Sequence, residues 1–380
     1  MICDPTERRD TPLARKLAAR IARSGPITVA DYVEACLRDP AHGYYRVQAG
    51  IGRDFVTAPE ISQMFGELIG LWCSVVWRQM GSPDPVRLVE LGPGRGTMMR
   101  DMLSAARLAP DFLVAVHVHL VETSAPLAAQ QRSLLRDAPV PVTWRDALPE
   151  PSPCANIIVA NEFLDTLPTH QYVRAGAGWA ERAVGIDSQG RPQFTSGGPP
   201  DSGVSQWLSE RFPNAPAHDI VEIGDFSLLA WIAAQAQRQR TVALLVDYGP
   251  ARSAPGDTLQ AVRRHRYEHP LRSPGEADLT MHVDFEELAR RLGEIHSLAC
   301  DGPATQAEFL GAVGLVERAS RLMASNPAMA LAIETAAQRL LAPGGMGTRF
   351  KVIGARSRQM PPLPGLTLGH MAAASALIPC

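Results

Sequence analysis

The sequence predicts an α/β protein built on a parallel β-sheet covered by helices on both faces. Three observations predict it. Short runs rich in Val, Ile and Leu alternate with stretches of helical periodicity. One of those runs passes directly into a glycine-rich turn, VELGPGRGTMMRDML at 89–103. The composition, 46% hydrophobic and 20% charged over 380 residues, is that of a globular chain with a sizeable core. That length exceeds the usual single core and falls short of three typical domains, so one large α/β domain with additions is expected.

Taken in order, the first helix spans about 11–24 and is stopped by Ser24-Gly25-Pro26. Arg8, Arg9, Arg15, Lys16, Arg20 and Arg23 give this end a basic character, which Asp4, Glu7 and Asp10 interrupt, so it reads as an ordinary helix rather than a targeting segment. A second helix covers 63–81, where Met64, Leu68, Leu71, Trp72, Val75, Val76 and Met80 recur at helical spacing before Gly81 and Pro83. Its aromatic stripe belongs to a core. The alternating series then begins: VRLVEL at 86–91, a helix through Leu108, VAVHVHLVE at 114–122, a helix near 125–136, VTW at 142–144, and ANIIVANEFL at 155–164. It resumes with a helix from Leu228 to Arg240 and TVALLVDYG at 241–249.

Between 166 and 226 the alternation stops, and SQGRP and SGGPPDSG indicate hairpin turns and loops of an insertion. An irregular stretch follows 250 to about 283. After it come a helix in VDFEELARRLG, a strand near 295–299, helices across 305–341, a last strand near 349–355, and a proline-rich tail from Pro361 with little regular structure. The organisation expected is therefore an N-terminal helical and loop region over 1–82 and a core in two parts, 83–165 and 241–358. An insertion, 166–240, separates those parts, and an irregular tail occupies 359–380.

A formal net charge of -2 and a pI near 6.6 supply no global attraction for nucleic acid or anionic lipid. No apolar run is long enough to span a bilayer. The six cysteines, Cys3, Cys36, Cys73, Cys154, Cys300 and Cys380, are dispersed, with no CxxC pair or nearby histidine cluster to hold a metal. They read as reduced thiols of a cytoplasmic protein.

A strand that ends in a glycine turn and enters a helix lets the backbone pass close to a nucleotide-containing ligand. The dinucleotide fingerprint is GxGxxG, with pyrophosphate on the helix N-terminus. Here the glycines are Gly92, Gly94 and Gly96, the third one position early, and Thr97 stands where GxGxxG requires glycine. Glu90, two residues before the first glycine, suits an ammonium better than a pyrophosphate. S-adenosyl-L-methionine, with an ammonium, a sulfonium and no phosphate, fits, and the glycine spacing disfavours a nicotinamide oxidoreductase. Glu90, Gly92, Pro93, Gly94, Gly96 and Thr97 form the candidate cofactor turn. Glu122, which ends the next strand, is placed to accept adenosine ribose hydroxyls in either nucleotide class. Asp146 after the third strand and Asn161 after the fourth complete the candidate cofactor set.

Several stretches carry a more specific resemblance, in order: GPITVADYV at 25–33, HGYY at 42–45, GRDFVTAPEISQMFGELIG at 52–70, and the glycine turn itself. NEFLDTLPTHQY at 161–172, LVDYG at 245–249, ADLTMHVDF at 277–285 and MGTRFKV at 346–352 follow. Through them the chain resembles the MidA-like class I methyltransferases, which include a mitochondrial complex I assembly factor; only the middle insertion and the tail fall outside. The resemblance implies a seven-stranded class I core with an N-terminal helical addition and an inserted segment. It implies an S-adenosyl-L-methionine-dependent protein arginine methyltransferase that forms symmetric dimethylarginine on a quinone-module subunit of respiratory complex I. Eukaryotic members of the family work in the mitochondrial matrix. It also implies that Gly92, Gly94 and Gly96 wrap the methionine part of the cofactor and Glu122 the ribose, and that Asp54 to Ser62 close over cofactor or substrate.

In this family's fold NEFLD would lie at the acceptor-binding loop. A guanidinium remains protonated with delocalised lone pairs, so it is a poor nucleophile. Carboxylates against two of its nitrogens can hold its fork geometry and draw positive charge away from the attacking nitrogen. Glu162 and Asp165 are the catalytic candidates, although polar residues after an apolar strand also commonly cap the next helix. Asp54, Thr57, Glu60 and His282 are the candidates for substrate binding; the same residues could instead serve as caps or structural partners. Two other readings remain open: a methyltransferase of another protein or of a small molecule, and an assembly chaperone that binds the cofactor without turnover.

Overall fold

The computed structural model describes residues 7–47, 56–176 and 178–366, and these divide the chain into two compact units. One comprises Val56–Leu164, Phe226–Arg252 and Phe285–Cys380; the other comprises Met1–Phe55, Asp165–Asp225 and Ser253–Asp284. The division differs from the expected organisation. The helices Gln63–Gln79 and Ser227–Arg238 belong to the first unit, and the segment 253–284 joins the second.

The first unit is organised by a seven-stranded sheet. Its strands, in chain order, are β1 (Val86–Leu91), β2 (Val116–Val121), β3 (Val142–Arg145), β4 (Ala155–Asn161), β5 (Thr241–Tyr248), β6 (Leu298–Thr305) and β7 (Phe350–Ser357). They lie in the order β6-β7-β5-β4-β1-β2-β3. From β3 to β5 neighbouring strands are parallel, but β7 runs antiparallel to both β5 and β6, so the expected parallel sheet is a mixed one. The central strands β1 and β4 are buried at every position, as helices on both faces require, which is why they read as unbroken apolar runs. The edge strand β3 alternates half-buried with exposed residues. Chain order reverses at β1, whose neighbours β2 and β4 leave it on opposite sides. A crevice at the carboxyl ends of these strands is where an open α/β sheet binds its ligand.

Two features position that crevice. Helix Gln63–Gln79 lies so close to helix Thr97–Ala105 that a Cβ on Gly70 would meet Met102 O at 2.4 Å, and one on Gly66 would meet the Asp101 Cβ at 2.8 Å. Two glycines four apart therefore allow backbone contact against the helix that follows the glycine turn. Trp72 and Trp77 sit in the same core, as expected for the aromatic stripe. The second feature is a short helix, Pro110–Ala115, which leads into β2 and lies between Gly96 and Glu122. From Pro361 to Leu366 the chain lacks regular structure but is packed against the core. Leu363 is buried, its N–H donates to Asp301 Oδ2 (3.0 Å), and the Trp72 indole N–H donates to Pro364 O (3.0 Å).

In the second unit the hairpin-rich segment forms an antiparallel sheet. Strand Thr169–Ala175 pairs with Gly178–Ile186 on one side and Ile220–Gly224 on the other, and Ile27–Thr28 and Pro192–Ser196 pair with Gly178–Ile186. The stretch 250–283, expected to be irregular, contains a second small antiparallel sheet of Gln260–Arg263, Arg266–Glu268 and Asp278–Thr280. These strands were hard to read because they are three or four residues long, too short to show a period. Helices Pro12–Ser24 and Val29–Arg38 fill this unit's core with Leu13, Leu17, Ile21, Tyr32, Val33 and Leu37.

Candidate functional site

The chain leaves β1 through three residues with left-handed backbone: Gly92 at φ 60°, Gly94 at φ 55° and Gly96 at φ 83°. Such φ values strain any residue with a Cβ, which explains the spacing of the glycines. Space is also short. A Cβ on Gly92 would lie 3.0 Å from the Phe163 ring, and one on Gly96 would lie 3.3 Å from Gln131 Cγ. Pro93 is buried beneath the turn, and its carbonyl accepts the Gly96 N–H (2.8 Å). Helix Thr97–Ala105 then begins without a side-chain cap.

Glu90 stands at the penultimate position of β1 and is 1% exposed, and its Oε2 has no hydrogen-bond partner among the described residues. Burial, followed by the charge of Glu122, pushes its carboxyl up to about 8. A buried carboxylate in this position is electrostatically incomplete, and an ammonium would complete it.

Glu122 follows β2 and is half-buried. Its Oε1 accepts the Ser124 N–H (2.7 Å), and its Oε2 accepts from Gln131 Nε2 (3.0 Å). Beyond it a cleft of about 430 Å³ is lined by Glu122, Arg132, Trp144, Arg145 and Asp146 among others. Asp146 is exposed in that lining. The far wall is braced: Arg87 donates to Glu150 O (3.3 Å), and the Trp231 indole donates to Pro149 O (2.8 Å).

After β4 the chain turns at Glu162, which takes φ 51° although it is not glycine. Glu162 Oε1 accepts from Asn161 Nδ2 (3.2 Å) and from the Ala58 N–H (3.3 Å), while its own N–H donates to Val246 O (2.9 Å). Asp247, fully buried at the end of β5, holds the turn: its Oδ2 accepts the N–H groups of Phe163 (3.1 Å) and Leu164 (2.8 Å). Since Phe163 packs on Gly92, the turns after β1 and β4 touch. The short helix Ala58–Ile61, which follows Thr57, is tied to both. Glu60 Oε1 accepts from Thr97 Oγ1 (2.7 Å), its other oxygen lies 3.7 Å from Arg95, and Ala58 donates to Glu162.

The structure thus gathers Glu90, Gly92, Pro93, Gly94, Gly96, Thr97, Glu122, Asp146, Asn161, Glu162, Thr57 and Glu60 on one unit. Glu60, expected to bind substrate, is engaged with the glycine turn. Asp165 and His282 belong to the other unit. Asp165 is buried and its carbonyl accepts the Met281 N–H (3.2 Å); His282 is exposed and its N–H donates to Thr258 Oγ1 (2.9 Å). Asp54 lies outside the described residues. Sequence reasoning missed Gln131, although a signal existed: it occupies the inward position between Leu127 and Leu135, where an apolar residue is expected.

A glycine cradle without a pyrophosphate spacing, a buried carboxylate with one oxygen unpartnered among the described residues for an ammonium, and an acid after β2 for a ribose diol fit S-adenosyl-L-methionine. The comparisons agree. A family model described as "Putative S-adenosyl-L-methionine-dependent methyltransferase" matches residues 68–304. The chain belongs to this family of S-adenosyl-L-methionine-dependent methyltransferases, and that compound is its cofactor. More particularly, it is 33% identical to the Drosophila melanogaster protein named protein arginine methyltransferase NDUFAF7 homolog, mitochondrial, over 94% of this chain and 86% of that one. It is 34% identical to the Xenopus tropicalis protein arginine methyltransferase NDUFAF7 (93% and 89%) and 32% identical to the Homo sapiens protein of that name (91% and 84%). Among solved structures, a "likely methyl transferase from Burkholderia thailandensis bound to S-adenosyl-homocysteine" superposes with a TM-score of 0.81 at 27% identity, covering 95% of this chain and 97% of that one. Class I fold and methyltransferase family therefore coincide. Among the described residues no helix is long and apolar enough to cross a membrane.

Proposed function

We propose that this enzyme is a protein arginine N-methyltransferase, forming symmetric dimethylarginine on a quinone-module subunit of respiratory complex I during its assembly in the cytoplasm. The observation that carries the reading is the contact of the two turns. Glu162, a carboxylate in strained backbone, heads the turn after β4, and the adjoining Phe163 packs on Gly92 of the glycine cradle. The relatives named as protein arginine methyltransferases support arginine as the acceptor, and the family resemblance supports the complex I subunit.

S-adenosyl-L-methionine, when bound, supplies an electrophilic methyl group on a sulfonium. The chain's own contribution is to bind and orient. Gly92, Pro93, Gly94, Gly96 and Thr97 shape the cradle, Glu90 offers charge to the ammonium, and Glu122 and Asp146 line the adenosine side, with Asn161 at the end of β4. Glu162 accepts N–H bonds from the acceptor guanidinium and keeps positive charge away from the attacking nitrogen. Asn161 and Asp247 keep Glu162 in place. Thr57 and Glu60, on the same unit as the cradle, are the substrate contacts of this reading.

The test is methyl incorporation from labelled S-adenosyl-L-methionine into extract of cells lacking the protein, comparing wild type with Glu162→Ala and locating label by mass spectrometry. Label on an arginine of the quinone-module subunit, lost in the variant, is the expected result. Label on another protein or a small molecule would retain the enzyme and discard this substrate.

A further inference from the structure

Gln131 is a fully buried amide whose hydrogen-bonding groups are directed at three parts of the candidate cofactor site. Its Nε2 donates to Gly94 O (2.6 Å) and to Glu122 Oε2 (3.0 Å), and its Oε1 accepts from the Trp144 indole N–H (3.0 Å). The opposite amide orientation would set oxygen against oxygen at Gly94 and Glu122 and N–H against N–H at Trp144, so one orientation is enforced. Its Cγ also lies 3.3 Å from where a Cβ on Gly96 would stand. Helix Ala125–Leu134 delivers this side chain, and the cap Ser124 N–H binds the other oxygen of Glu122 (2.7 Å). Each Glu122 oxygen thus has one lone pair fixed by helix or cap, which sets the plane of the carboxylate.

We propose that Gln131 is a positioning residue that joins the glycine turn to the Glu122 carboxylate, so that recognition of the cofactor's ribose diol depends on a side chain that stands behind the acid. The proposal rests on the placement of the ribose at Glu122. A flat carboxylate reads two vicinal hydroxyls only while its plane is held, and an untethered Glu122 would rotate about its side-chain torsions. Because the same NH2 group also holds Gly94 O, a shift of the glycine turn is transmitted to the carboxylate.

The experiment is calorimetric titration of S-adenosylhomocysteine and its 2′-deoxy analogue into wild type and Gln131→Met, which keeps the side chain's length and apolar packing. Wild type is expected to prefer the ribose form. Gln131→Met weakens the ribose form about tenfold, the loss of hydrogen bonds to a charged group, and the deoxy form by less than about threefold, so the preference narrows. Equal weakening of both ligands, or none, overturns the proposal, since a merely structural residue would not distinguish them. Where Gln131→Met does not fold, Trp144→Phe removes a single anchor of the amide and is expected to narrow the preference in the same direction by a smaller factor; an unchanged preference overturns it. A wild type indifferent to the 2′-hydroxyl removes the ribose from Glu122, and the proposal falls with that placement.

Discussion

The turns after β1 and β4 touch through Phe163 and Gly92, yet they are built on opposite principles. The first reaches left-handed backbone with glycine at all three positions, at φ 60°, 55° and 83°. The second reaches it with Glu162 at φ 51°, at a cost of about 1–2 kcal/mol for the Cβ, and is then held by Asp247, whose carboxylate accepts two successive main-chain N–H groups. Where the fold needs only close approach of backbone, glycine suffices. At Glu162 a side chain occupies a position that glycine would fill with less strain, and neighbouring groups stabilise it there. The inference runs from the observed strain to function: a carboxylate is wanted at that point.

The largest effect that could break this comparison is kinetic. Glu162→Gln retains the shape of the turn and an oxygen for the Ala58 N–H, but removes the charge. Methyl transfer is expected to fall about 100- to 1000-fold, while S-adenosylhomocysteine affinity by calorimetry stays within about twofold. Transfer at the wild-type rate would make the strained Glu162 a structural residue and leave the acceptor carboxylate unassigned.

Next in size is the support. Asp247→Ala leaves the N–H groups of Phe163 and Leu164 without their buried acceptor, so unfolding in urea should show a loss of about 3 kcal/mol. If the two turns are separate devices, transfer by the folded variant drops while cofactor affinity holds. A parallel loss of cofactor affinity would mean that Phe163, displaced from Gly92, couples them.

How much of this was legible in the sequence depends on whether the information is local. The cradle was readable because each glycine reports a backbone need at its own position, and β1, β4 and β5 because burial on both faces leaves continuous apolar runs. Asp247 was visible as a strand end, but its hold on 163 and 164 joins strands that only the sheet order makes neighbours. Gln131 was passed over because one polar residue on a helix is ordinary until its inward face is known. The antiparallel course of β7 and the strands within 260–280 were not readable either: direction leaves no residue signature, and three-residue strands leave no period.

The strain argument can be sharpened at single positions with effects near 1 kcal/mol. At residue 162 both Gly and Ala lack the carboxylate, so their difference isolates the Cβ; Glu162→Gly should be about 1 kcal/mol more stable than Glu162→Ala. Residue 94 should show the same order, with Gly94→Ala less stable than wild type by about the same amount. Chemical denaturation of the three variants and wild type checks both, and equal stabilities of the two residue-162 variants would show that the local backbone relaxes and stores no strain.

The last test concerns charge on the cradle side. Glu90 is buried with an oxygen unpartnered among the described residues, and burial together with Glu122 raises its carboxyl to about 8, against an ordinary value of 4.5. In the ligand-free protein the folded state therefore binds a proton that the unfolded chain releases at lower pH. That contribution is fully present below about 4.5, declines as pH rises from there, and is lost once pH passes about 8. The melting temperature of the ligand-free protein should accordingly decline between pH 5 and about 8 more steeply in wild type than in Glu90→Gln, which carries no titrating group there. An ammonium beside Glu90 favours the ionised form, so wild-type affinity for S-adenosylhomocysteine should rise over the same window and that of Glu90→Gln should not. Identical slopes in the two proteins would mean that Glu90 is already ionised before the cofactor arrives, and the ammonium would have to be assigned to another acceptor on the turn.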